Sequence, residues 1–174
     1  MPIPVLTTPR LRLRPLQETD EEAIFAIRSS EEVNRYIYRS APANTGEAAA
    51  FIRKITESVN TGNSYYWAIC LKEDPRLSGT ICIWNLSPDR KKAEIGYELF
   101  PDRQGKGYMN EALKAVIDFA FHSAGMETLE AYTHKDNLAS SRLLLHNGFR
   151  QQTGQVDPED ENNVIYQLQQ TQPA

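Results

Sequence analysis

Apolar and polar residues alternate one by one through "RLRLRPL" at 10–16, the pattern of a strand with a single buried face. The period then lengthens to that of a helix. Ala23, Ile24 and Ile27 share one face behind Thr19 or Asp20, either of which suits an N-cap. A second helix starts at Thr45, its cap, and runs to about Val59, with Ala48, Phe51, Ile52, Ile55 and Val59 in one stripe. Between the two, "NRYIYRSAPAN" is polar, aromatic and interrupted by proline: a connecting loop, or a segment that orders against a ligand.

From residue 64 the period returns to two. "SYYWAICL" at 64–71, "LSGTICIWNL" at 77–86 and "KAEIGYELF" at 92–100 predict three strands, and the turn residues in "KEDPR" and "SPDRK" favour antiparallel hairpins between them. A long helix follows, with Met109, Leu113, Val116, Ile117, Ala120 and Phe121 on its apolar side and Gly125 where a C-terminal cap belongs. Beyond it come a strand, "TLEAYTH", a short helix in "DNLASSRLLLHN" closed by Gly148, a strand starting at "GFRQQ" and a last one in "NNVIYQLQQ". The order βααβββαβαββ predicts an α/β fold, a single mixed sheet with an antiparallel N-terminal meander and flanking helices.

Composition adds bounds. With 174 residues, 40% of them hydrophobic, the chain fits one domain over 1–170 with a frayed tail at 171–174. The opening "MPIPVLTTPRLRLRPL" lacks the apolar core of a signal peptide, and no run nears the ~20 apolar residues that cross a bilayer. A cytoplasmic protein without a membrane partner is expected. Cys70 and Cys82 lie in strand-like segments with no ligand-spaced Cys or His beside them, so buried thiols are expected and no metal. A formal charge of −4 gives no footprint for nucleic acid, and any anion is bound locally, near "DRKK" or near Arg103 and Lys106.

The densest chemistry lies in "DRQGKGYMNEALKAVIDFAF" at 102–121. Gly105 and Gly107 leave bare the turn in front of the long helix, whose first N–H groups have no intrahelical acceptor and, with the helix dipole, attract an anion. Arg103 and Lys106 add positive charge. The turn reads as a phosphate cradle, or as a tight strand-to-helix turn and nothing more. A Walker-type loop needs Ser or Thr after the lysine, but Gly107 follows Lys106. A dinucleotide fingerprint needs a third glycine where Asn110 stands, and it opens a βαβ unit, not a helix after a meander.

Three motifs together resemble one family. "TPRLRLRPL", "AEIGYELFPDRQGKGYMNEAL" and "NLASSRLLLHNGF" occur in the order and spacing of the Gcn5-related N-acetyltransferases, in the branch that acetylates ribosomal-protein N-termini, and the match spans nearly the whole chain. The resemblance implies an acetyl-CoA-dependent N-acetyltransferase acting on a protein α-amine. Alternatives are a small amine (polyamine, amino acid or aminoglycoside) as acceptor, or a non-catalytic acyl-CoA-binding regulatory domain, and a homodimer is left open.

By the same resemblance, Gln104, Gly105, Lys106, Gly107, Tyr108, Met109 and Asn110 hold the CoA diphosphate and Asn137 holds the pantetheine arm. A backbone N–H at Leu99 or Phe100, where a bulge splays the strand, polarises the acetyl carbonyl. Two departures stand out: Met109 takes the place of a small loop residue, and Leu144 takes the place of a tyrosine that protonates the leaving thiolate. That role then falls to Ser140, which matches the serine assigned to it in this branch. For the base, Glu94 and Glu98 are four apart on a strand and so face the same way. Glu94 matches the base carboxylate of histone-acetylating relatives and is preferred. Residues 36–44, Trp67, Trp84, Asn85 and "DPEDENN" are expected to shape the acceptor pocket, and His134 could reach the acceptor.

Overall fold

The computed structural model describes residues 3–171, so of the expected frayed tail all but Thr171 lies outside the described residues. The alternation at the start becomes β2 (Leu11–Pro15), whose Leu11 and Leu13 are fully buried. It pairs with β1 (Leu6–Thr7), and the sheet continues through β3 (Tyr65–Leu71), β4 (Asp74–Trp84), β5 (Lys92–Leu99), β6 (Thr128–His134), β8 (Asn163–Gln169) and β7 (Arg150–Gln151). Every neighbouring pair is antiparallel except β5 with β6, so the sheet is mixed, with the meander on its N-terminal side.

The period of two sorts the strands onto two cores. Leu13, Trp67, Ile69, Ile81, Ile83 and Ile95 pack on one face with Leu113 and Val116 of α4 (Tyr108–Asp118) and Leu144 of α5 (Leu138–His146). Tyr66, Ala68 and Cys70 pack on the other with Ile24 of α1 (Glu21–Ser29) and Ala48 and Ile52 of α3 (Thr45–Asn60). Each fully buried Leu or Ile contributes roughly 1.5–3 kcal/mol, which holds the helices against a sheet that carries the site.

Several boundaries differ from the sequence pattern for local reasons. β1 and α2 (Glu31–Asn34) are too short to show a period. Asn44, extended and accepting from the Glu47 amide, caps α3 in place of Thr45. Asp20 precedes α1, but its carboxylate turns to Arg14 in a buried, two-bonded pair. The hairpin after β3 is tighter than "KEDPR" suggests, because β4 already begins at Asp74. After α4 the chain makes a π turn at Phe119–Ser123, and Gly125 follows with φ of 70°.

The parallel pair is brief. Lys92, Ala93 and Glu94 face Thr128, Leu129 and Glu130, and beyond these residues the strands part, β5 staying with β4 and β6 with β8. The pairing of β4 with β5 keeps one register throughout, whereas the register shifts lie between β3 and β4 near Cys70. The expected bulge near Leu99 is therefore absent: the gap opens because parallel pairing stops after Glu94.

Candidate active site

One cleft of about 330 Å³ runs along this gap. Its lining takes Glu98 from one face of β5 and Tyr97 and Leu99 from the other, so it passes through the sheet. At one end lie Gly105 and Gly107, with φ of 73° and 81°, conformations open to glycine at little cost. They turn the chain into α4 so that the first amides of the helix, which have no intrahelical acceptor, head the cleft. Arg103 lines it as well, leaning towards Asp74 at 3.6 Å, while the Lys106 ammonium donates to the Asp102 carbonyl at 2.8 Å.

The loop is braced on every side. The Gln104 side chain donates to the Leu99 carbonyl at 3.1 Å. Arg10 donates from its guanidinium to the Lys106 carbonyl at 3.0 Å and to Glu111 of α4 at 2.8 Å, and it lies 4.5 Å from the centre of the Tyr108 ring. Asn110 accepts from Asn147 at 2.9 Å, tying α4 to the end of α5. Met109 lines the cleft beside the loop. Of the two expected backbone donors, Phe100 is excluded: its amide donates to the Ser78 carbonyl at 3.0 Å. Alternation along the antiparallel pair then turns the Leu99 amide away from β4, towards the side from which β6 has parted.

Across the cleft stands the first turn of α5. The Asn137 side chain caps it by accepting from the Ser140 amide at 3.3 Å, and both residues line the cleft. The Ser140 hydroxyl lies 2.7 Å from the phenol oxygen of Tyr97. The sequence pattern gives Tyr97 no role, because on β5 it falls among core-facing residues. Burial pushes its phenol up to about 12, with the Ser140 hydrogen bond offsetting part of that. Leu144, one turn on, is fully buried and has no acidic proton to give.

A second cleft, of about 490 Å³, opens beside the first, and Ile37 lines both. Its walls include Tyr36, Trp84, Tyr132 and the acids Glu94, Asp157, Glu159 and Asp160, with no Lys or Arg among them. Asn85 reaches this wall with φ of 51°, a left-handed conformation that asparagine tolerates. Burial raises the Glu94 carboxyl to about 7; Asn85 works against the shift, and Asp157, Glu130 and Glu159 add to it. Glu130 faces Glu94 across the parallel pair, and one of its carboxylate oxygens is buried without a hydrogen-bond partner.

Glu98 has a different environment. Its carboxylate is buried, accepting from Arg39 at 2.6 Å and from Thr80 at 3.3 Å, a pair that anchors the loop after α2 to β5. Trp67, expected near the acceptor, is instead wholly inside the core, its indole N–H donating to the Pro4 carbonyl at 2.8 Å. His134 packs beside Tyr36 with ring centres 5.3 Å apart and the ring planes tilted by 33°, and it lines neither cleft. Among the described residues, no group of three His, Cys, Asp or Glu side chains is placed to hold a metal ion, and no helix is long and apolar enough to cross a membrane.

Residues 10–150 match the family model described as an acetyltransferase (GNAT) domain. The chain is similar to the uncharacterised N-acetyltransferase YoaA of Bacillus subtilis (strain 168), 34% identical over 149 residues that cover 86% of this chain and 84% of that protein. It is also similar to the ribosomal-protein-serine acetyltransferase of Escherichia coli (strain K12), 37% identical over 78 residues, 45% of this chain and 43% of the relative. Among solved structures, RimL, a ribosomal L7/L12 α-N-protein acetyltransferase in complex with coenzyme A, shares the fold with a TM-score of 0.81 at 18% identity, covering 95% of this chain and 98% of that one.

Proposed function

The chain belongs to the GNAT acetyltransferase family, and we propose that this N-acetyltransferase moves an acetyl group from acetyl-CoA to the α-amine of a protein N-terminus. The observation that carries the reading is Glu94, a carboxylate raised to about 7 in the wall of an acidic cleft that meets the loop-headed cleft at Ile37. A base of that strength suits an amine of pKa ~8, where the proton moves uphill by only ~1 unit, about 1.4 kcal/mol. For a lysine amine of pKa ~10.4 the same transfer is about 3 kcal/mol harder.

Acetyl-CoA, as co-substrate, would supply the acetyl thioester. The residues present fit it: a Cβ on Gly107 would meet Arg10 at 3.2 Å, so the turn is built to stay bare, and the amides of residues 108–110 suit a diphosphate. The Leu99 amide polarises the acetyl carbonyl, Asn137 steadies the pantetheine arm, Glu94 takes the amine's proton through a water, and the Ser140 hydroxyl donates to the departing sulfur. Glu98, held by Arg39, keeps a structural part. The acids and aromatic rings of the second cleft suit a cationic acceptor. Two free thiols, Cys70 and Cys82, agree with a reducing cytoplasm. The relatives named for ribosomal-protein and α-N-protein acetylation support the acceptor class.

An acceptor screen with mass detection, covering N-terminal peptides, polyamines and aminoglycosides, tests the reading. Peptide α-amines are expected to react best, with kcat/KM rising with pH, levelling near ~8 and falling as salt screens the acidic cleft. A best acceptor whose rate still climbs steeply at about pH 9.5 would overturn the α-amine assignment.

A further inference from the structure

We infer that Tyr97 is a positioning residue for the leaving group, one that orders the Ser140 hydroxyl so that its single proton points at the thioester sulfur. The inference rests on the reading of Ser140 above.

Tyr97 and Ser140 come from elements 43 residues apart, yet their oxygens meet at 2.7 Å inside the cleft that both line. A hydroxyl has one proton to donate. If Ser140 donated to Tyr97, no proton would remain for the sulfur. With the phenol as donor, the serine proton is free, and the phenol is the stronger acid of the two. Tyr97 is the Ser140 hydroxyl's hydrogen-bond partner among the described residues, and the serine's own position is fixed by the Asn137 cap. Burial also keeps the phenol protonated through the working pH range, so the direction of donation holds throughout.

The step balances without a proton leaving Tyr97. The amine nitrogen bonds to the carbonyl carbon, the C–S bond breaks with its electron pair going to sulfur, and the amine's proton goes to Glu94. Sulfur receives a hydrogen bond from Ser140, which is polarised by the one from Tyr97. Full transfer from the phenol, at about 12, to a thiolate of pKa ~8.5 would be uphill by about 3.5 pH units, so donation is the role left to it.

The test is a double-variant cycle on the full chain with acetyl-CoA and the best acceptor. Tyr97→Phe is expected to lower kcat about tenfold, Ser140→Ala about 10²-fold, and the pair no further than Ser140→Ala alone, all with acetyl-CoA Kd within about twofold. That unchanged affinity shows the variants to be folded. With Tyr97 replaced by 3-fluorotyrosine, a more acidic phenol of nearly the same shape, kcat is expected to hold at neutral pH and to fall at alkaline pH as the phenol ionises. A tyrosine that only fills space would show no such limb. Losses that multiply in the double variant, or a Tyr97→Phe rate equal to wild type beside an impaired Ser140→Ala, overturn the inference. An unimpaired Ser140→Ala overturns the Ser140 reading and this inference with it.

Discussion

Glu94 is costly for the fold to keep charged. Its carboxyl is raised from 4.5 to about 7, so between those values the folded chain holds a proton that the unfolded chain has released. The stability this proton confers is fully present below 4.5 and is lost as the pH rises through about 7. Glu94→Gln should therefore cut kcat about 10²-fold, remove the ionisation near 7 from the kcat/KM profile while leaving the acceptor amine's rise towards ~8, and raise stability at pH 8 by on the order of 2 kcal/mol. Thermal melts at several pH values check it: the gain should vanish near pH 4. The two acids were legible in the sequence because a strand's period of two puts Glu94 and Glu98 on one face. Their separate environments were not, since the Arg39 partner of Glu98 arrives from a loop 59 residues away. Tyr97 went unassigned and Trp67 was expected at the acceptor for a shared reason: an aromatic residue in a strand carries no sign of whether it ends in a core or beside a ligand.

At the scale of elements, the head of α4 depends on glycine geometry and on a brace from the start of the chain. Gly107→Val would place a branched side chain at φ of 81° and against Arg10, a strain of roughly 1–3 kcal/mol that leaves the protein folded but closes the anion seat. Acetyl-CoA binding, measured by calorimetry, should be lost. Arg10→Ala should instead weaken it about tenfold and leave kcat at saturation nearly unchanged, because the guanidinium holds the Lys106 carbonyl and Glu111 without reaching the reacting atoms. The strands over 64–100 and the helices with clear caps or C-terminal glycines were readable from pattern. The brace was not, as nothing local in "TPRLRLRPL" announces a partner in a helix 101 residues on.

The whole molecule turns on an interruption. The sequence showed strands and helices in the right order, but not that β5 and β6 would pair for three residues and then separate, because only the competing partners β4 and β8 decide where that pairing stops. The separation lets one cleft cross the sheet and meet the other at Ile37. Two ligands can thus be seated at once with their reactive ends together, and a single molecule can span both seats. A conjugate of coenzyme A and an acceptor peptide, joined by a two-carbon bridge at the sulfur, should act as an inhibitor that gains from effective concentration, binding about 10²–10⁴-fold more tightly than either half. Competition against acetyl-CoA would measure it, and a conjugate no tighter than coenzyme A would show the two clefts to be closed to each other. The same geometry makes selectivity attainable: the coenzyme half supplies affinity for a fold with many relatives, and the peptide half, read by the acids around Glu94, would decide which of them is inhibited.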